Sequence, residues 1–165
     1  VTPDQIRCVR ATWQQVLPIR AAAADLFYGR LFELAPEVRP MFRRDIHAQG
    51  AMLMATLAAV VDHLDHLDSL LPTAQALARR HVGYGVRAEH YAVVGTALLW
   101  TLEQGLGAAF TPAVRDAWAA AYRALAGVMV DAAYGPALRR RRHPVSGSTT
   151  IAPSPSQRPR PGAPA

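Results

Sequence analysis

The 165-residue chain has one cysteine, Cys8, and no lysine: all 18 of its basic residues are arginine. A single thiol excludes an internal disulfide and every Cys-x-x-Cys motif. It fits a reducing compartment, so a cytoplasmic location is expected. The arginine-only basic set reads as a coding bias rather than as chemistry. Long apolar runs are missing too. "MLMATLAAVV" is among the longest, well short of the 18 or so residues that cross a bilayer. Residues 4–10 mix acids and bases instead of showing a charged-then-apolar export signal, so neither export nor a membrane partner is expected. There is no glycine-rich phosphate loop, no His-Glu-x-x-His and no Gly-x-Ser-x-Gly, which excludes three common enzyme chemistries. No stretch alternates with the period of a strand and no hairpin signal occurs, which leaves an all-α fold.

The formal charge of +6 is unevenly placed. Residues 1–138 hold all 12 acids and an equal number of arginines, so the surplus is Arg139 to Arg142, Arg158 and Arg160. A basic balance confined to a segment rich in proline and serine describes a tail. Residues 1–134 are therefore expected to form one folded domain and 135–165 a disordered tail. Four arginines in "RRRRHP" can contact nucleic acid or an anionic surface. No aromatic interleaving or recognition motif accompanies them, so no nucleic-acid partner is expected.

What is present is helical periodicity. Thr2-Pro3-Asp4-Gln5 has the form of a capping box with proline at the first helical position. Ile6, Val9, Trp13 and Val16 follow as one stripe, stopped near Pro18. Ala24, Phe27, Tyr28 and Leu31 mark a second helix that ends before Pro36, and "PEVRPMF" is a short proline-bounded segment. Gln49, Leu53, Leu57, Val60 and Leu64 step through a long helix. Residues 70–81 form another, halted by Gly83 and Gly85. Tyr91, Val94 and Leu98 begin a further helix, and Thr111-Pro112 opens the last, with Val114, Trp118, Tyr122 and Leu125 inward.

Of the six histidines, His63 and His66 in "DHLDHLD" share a helix side but lack a third ligand and read as a solvated helix end. His90 and His143 read as surface residues. His81, at the end of an apolar run, differs because other residues line up with it. Gln49 and Leu53 lie one turn apart on the facing helix, and Tyr28 is a phenol within an apolar stripe, where its hydroxyl needs a partner. A haem iron needs one axial nitrogen and a separately built distal pocket. The residues alone also allow a plain account: Tyr28 bonded to a carbonyl, Gln49 in water, Leu53 in ordinary core.

"LFYGRLFELAPEVRPMF", "RRHVGYGVRAEHYAVVG" and "DAWAAAY" resemble segments of the globin family, over roughly residues 3–131. The likeness is greatest to bacterial single-domain haemoglobins and to the globin domain of flavohaemoglobins. The spacings agree with the family pattern: Tyr28 precedes Phe42 by 14, Gln49 precedes His81 by 32, and His81 precedes Tyr91 by 10. The resemblance implies a three-over-three helical sandwich holding haem b. His81 would be the iron ligand and Phe42 would wedge the haem. Tyr28, Gln49 and Leu53 would line the distal side, and Tyr91 would stand behind His81. Arg80 is the candidate for a haem propionate, with Arg43 and Arg44 as weaker ones. His47 is a rival distal residue, but two helical positions from Gln49 it should point away.

Two departures bear on function. A glutamate that in flavohaemoglobin-type domains bonds the proximal histidine falls here at Ala132 or Ala133, with Asp131 out of register. The flavin and nicotinamide reductase of flavohaemoglobins is replaced by the tail, so any electron donor is expected to be a separate flavin reductase. The resemblance thus implies reversible binding of O2, with NO and CO as further ligands, by a monomer or homodimer. The alternative is an enzyme, a nitric oxide dioxygenase working with that reductase. An interaction protein built on the arginine tail is a third class.

Overall fold

A computed structural model describes residues 1–43 and 45–142, with side chains through Gly135. Its six helices are α1 (Pro3–Val16), α2 (Arg20–Leu34), α3 (Ile46–Asp62), α4 (Leu71–Gly83), α5 (Ala88–Leu106) and α6 (Pro112–Arg142). No strand occurs among the described residues, and no helix among them is long and apolar enough to cross a membrane.

The local signals act where the sequence placed them. In α1 the Gln5 N–H donates to Thr2 Oγ1 at 3.1 Å and the Thr2 N–H to Gln5 Oε1 at 3.0 Å, which satisfies two of the helix's orphan donors reciprocally. Pro18 turns the chain through a 3₁₀ turn, Leu17–Ile19, into α2. Pro36 forces Ala35 out of helical geometry, to φ −141°, as the residue before a proline requires. A second 3₁₀ turn, Pro36–Met41, follows. Asp45 caps α3 by accepting from the His47 N–H at 3.2 Å. Gly85, at φ +89°, lets the chain leave α4 for α5. The last helix opens on Thr111, whose hydroxyl accepts from the Val114 N–H at 3.3 Å. It runs to Arg142, past the expected end at Tyr134. Residues 143–165, which include His143 and most of the expected tail, lie outside the described residues, as does Arg44.

The helices stack in two layers of three, α1, α3 and α4 over α2, α5 and α6. Across the layers α1 and α4 pack on α6 and α3 packs on α2, while α2 lies along α5. Two glycines permit the closest approaches. A Cβ at Gly50 would meet the Ala24 Cβ at 2.9 Å, and one at Gly95 would meet the Tyr122 ring at 2.6 Å. Between α1 and α6, Trp118 Nε1 donates to Thr12 Oγ1 at 2.9 Å, so this buried polar pair is satisfied.

The buried core divides in two. The larger cluster joins α1, α2, α3, α5 and the first half of α6, with Phe42, Leu53 and Leu57 half-buried at its edge. The smaller joins Ala74, Ala78, Tyr91 and Met129, with Leu77, Val86, Ala132, Ala133 and Tyr134 around them. Helix α4 rests on α6 and has little contact with α3 or α5. The two clusters touch where Tyr122 donates to the Tyr91 carbonyl, while Phe42, Leu53 and Leu57 on one and Leu77 on the other are only half-buried.

Candidate functional site

His81 ends the inner face of α4. Its Nδ1 lies 2.8 Å from the Leu77 carbonyl oxygen, one turn back. A carbonyl only accepts, so Nδ1 carries the proton and Nε2 keeps a bare lone pair. Burial holds the imidazole below its ordinary pKa; the Leu77 bond opposes this, and the charge of Arg80 adds to the depression. The ring is thus neutral near pH 7, the form a metal ligand requires. His63 makes the same bond to the Ala59 carbonyl at 2.8 Å from an exposed helix end, so the bond alone marks nothing. His81 is distinguished by being half-buried, stacked on Tyr91 with ring centroids 6.5 Å apart, and flanked by Tyr84 at 6.4 Å.

Tyr28 sits in α2 within an aromatic cage, its ring 5.1 Å from Phe27, 6.0 Å from Phe32 and 5.2 Å from Phe42. Burial pushes its hydroxyl up to about 12, and a hydrogen bond with the Gln49 side chain works against that rise. The Tyr28 hydroxyl is therefore protonated near pH 7, with the Gln49 side chain beside it. Leu53 follows Gln49 by one turn and is half-buried. His47 is exposed, with Nδ1 3.6 Å from Asp25 Oδ1, on another face of α3 from Gln49. Phe42 lies beside Tyr28, and the Met41 methyl comes 3.8 Å from where a Gly85 side chain would begin. The Tyr28 side and the His81 side thus approach one another through the Pro36–Met41 turn.

The donor set decides what can sit between the two core clusters. Among the described residues no group of three His, Cys, Asp or Glu is placed to hold a metal ion. A metal held by the single nitrogen of His81 would have to bring its other ligands with it, and Phe42, Leu53, Leu57 and Leu77 are the half-buried apolar residues that would be available to cover them. An iron porphyrin satisfies both demands. Arg80 and Arg43 are exposed.

Three positions repay comparison with the sequence. Ala132 and Ala133 are half-buried where α6 packs against α4, and Asp131 is exposed; the Nδ1 proton goes to a backbone carbonyl instead of a carboxylate. The next residue, Tyr134, had no role in the sequence reading. Its hydroxyl donates to the Val86 carbonyl, and the Val86 N–H donates to the His81 carbonyl at 3.0 Å. Tyr91 is buried, and its hydroxyl has no hydrogen-bond partner among the described residues; burial, and Tyr134 after it, push it up to about 12. His90 corrects an expectation. Read as a surface residue, it is 4% exposed, with its Nε2 3.9 Å from Glu37 Oε1 in the Pro36–Met41 turn. The available signal was its place three residues after the N-cap, where a side chain folds back on the backbone.

Comparisons with known proteins place the chain in a family. The globin family's sequence model matches residues 25–129. The flavohemoprotein of Bordetella parapertussis is 38% identical over 133 residues, covering 79% of this chain and 33% of that protein. The flavohemoprotein of Vibrio cholerae is 32% identical over 134 residues, covering 79% and 34%. A bacterial globin from Campylobacter jejuni superposes with a TM-score of 0.73 at 25% identity, covering 82% of this chain and 99% of that one. The chain spans about a third of the length of the flavohemoproteins it matches. It belongs to the globin family and is a haem-binding globin.

Proposed function

We propose that this globin holds haem b through His81 and binds O2 reversibly, with NO and CO as further ligands. Bound haem supplies an iron centre with one open position for a diatomic ligand. The observation that carries the proposal is the division of labour between two sets of residues. His81 presents a neutral ring with Nε2 free, while burial keeps the Tyr28 hydroxyl protonated beside the Gln49 side chain. Tyr28 then donates to a ligand that carries partial negative charge, Gln49 fixes the phenol's direction, and Leu53 and Phe42 exclude water. Arg80, with Arg43 as a weaker candidate, meets the propionates.

Absorption spectra of the purified protein test this directly, taken ferric, dithionite-reduced and with CO. The expected result is a haem spectrum that shifts on reduction and again with CO, and that His81→Ala abolishes. A purified protein that neither carries nor takes up haem ends the proposal.

The Tyr28–Gln49 pair also suits nitric oxide dioxygenation, in which O2, NO and one electron from a separate flavin reductase yield one nitrate. The Nδ1 bond of His81 favours the binding role over this one. A neutral carbonyl acceptor leaves the imidazole a weaker electron donor than a carboxylate partner does. NO consumption in the presence of NADH and a generic reductase separates the two. A single stoichiometric burst supports binding, and sustained turnover supports the enzyme.

A further inference from the structure

His90 is among the most deeply buried polar side chains, and the haem proposal gives it no task. It stands three residues after Arg87, the N-cap of α5, and the Arg87 N–H donates to its Nδ1 at 3.0 Å. An amide N–H only donates, so in the neutral ring the proton sits on Nε2. That Nε2 is buried and has no hydrogen-bond partner among the described residues. Glu37 Oε1 lies 3.9 Å away, on a side chain that is 56% exposed and therefore free to move. A buried N–H without a partner draws in any acceptor within reach. The two ends of this imidazole thus touch two different walls. Nδ1 holds the first turn of α5, where the next residue, Tyr91, stacks on His81. Nε2 faces the Pro36–Met41 turn, which delivers Phe42 to Tyr28.

We infer that His90 is a positioning residue for the haem crevice. Paired with Glu37, it is a strut that fixes the spacing between the wall behind His81 and the wall that carries Phe42. A helix cap and a strut make different demands on position 90. The cap needs only an acceptor for the Arg87 N–H, and glutamate is a common residue for that task. The strut also needs a donor facing Glu37. Glutamine supplies both, glutamate supplies the cap but repels Glu37, and leucine supplies neither.

The inference rests on the haem reading only for its cofactor arm. In that arm the rate of haem loss to excess apomyoglobin is measured for the holoprotein and for His90→Gln, His90→Glu, His90→Leu and Glu37→Leu. We expect His90→Gln to stay within about twofold of the parent. The other three should lose haem about tenfold faster, the effect of losing one hydrogen bond to a charged group. The His90→Leu/Glu37→Leu double variant should be no faster than either single one. A His90→Glu rate equal to the parent reduces the residue to a helix cap. An unchanged rate in Glu37→Leu, which leaves the cap and its buried surroundings intact, overturns the strut. The second arm needs no cofactor. In the haem-free chain, hydrogen exchange at the Val38 and Phe42 amides should quicken in Glu37→Leu and His90→Leu but not in His90→Gln. Unaltered exchange there overturns the inference even if the chain takes up no haem.

Discussion

At the scale of single residues, the proposed chemistry depends on where two protons sit. Burial keeps the Tyr28 hydroxyl protonated, so it has a proton to give. A hydrogen bond to a group bearing charge contributes roughly 1.5–3 kcal/mol, or about 10- to 150-fold in an equilibrium constant. Tyr28→Phe is therefore expected to speed O2 release by about that factor. A dissociation rate equal to the parent's, measured by stopped flow, removes Tyr28 from the distal role. Gln49→Leu should give a smaller increase, since it loosens the donor without deleting it. The second proton is the one His81 lacks. Burial depresses its pKa from 6.5, so as pH falls through 6.5 the unfolded chain takes up a proton that the folded chain resists. Stability falls with pH over that window and levels off below the depressed folded value. The thermal midpoint of the haem-free protein should drop as pH falls below 6.5, and His81→Leu should flatten that drop; parallel profiles would rule His81 out as its source. The helices that carry His81, Tyr28 and Gln49 were legible in the sequence from their periodicity, whereas the roles of those residues came from the family resemblance. The Nε2 of His90 and the Val86 contact of Tyr134 were not legible, because both are made by segments tens of residues away in the chain.

At the scale of elements, local stop and start signals did most of the work. Thr2-Pro3, Pro18, Pro36, Gly85 and Thr111-Pro112 each act through backbone geometry that needs no tertiary partner, and each boundary falls beside them. The end of α6 was less legible. Gly135 and Pro136 read as terminators, yet α6 runs on to Arg142, since such residues lower helix propensity without forbidding a helix. Crossings between elements are also invisible to periodicity. Gly95 gives no sign in the sequence that Tyr122 lies against it, although a Cβ there would come 2.6 Å from the ring. That ring cannot swing away cheaply, because its hydroxyl donates to the Tyr91 carbonyl. Gly95→Ala should therefore overpack the α5–α6 crossing and cost about 1–3 kcal/mol in denaturant unfolding. It should also disturb the haem spectrum, through Tyr91 and the His81 ring stacked on it. A variant as stable as the parent would mean that the two helices can part at this point without penalty.

At the scale of the whole molecule, the divided core is the property from which the rest follows. The larger cluster holds five of the six helices together through continuous apolar contact, whereas α4 is anchored to the second half of α6 and little else. A helix of 13 residues with one packed side is marginal by itself, so α4 and its partner region on α6 should be the least protected part of the haem-free chain. A cofactor that joins His81 to the edges formed by Phe42, Leu53 and Leu57 binds only the folded arrangement, and its binding energy becomes stability of that arrangement. At a free concentration about a thousand times the dissociation constant, the gain is about 4 kcal/mol, or roughly a thousandfold in opening equilibrium. Hydrogen exchange should therefore find the amides of Leu71–Gly83 exchanging well ahead of those in α1, α2 and α5 when haem is absent. Added haem should slow α4 by about a thousandfold while changing α1 much less. Equal protection of both clusters without haem would show that they already form one cooperative core. The crevice would then be a feature of the fold that the cofactor fills, with no share in holding the two halves together.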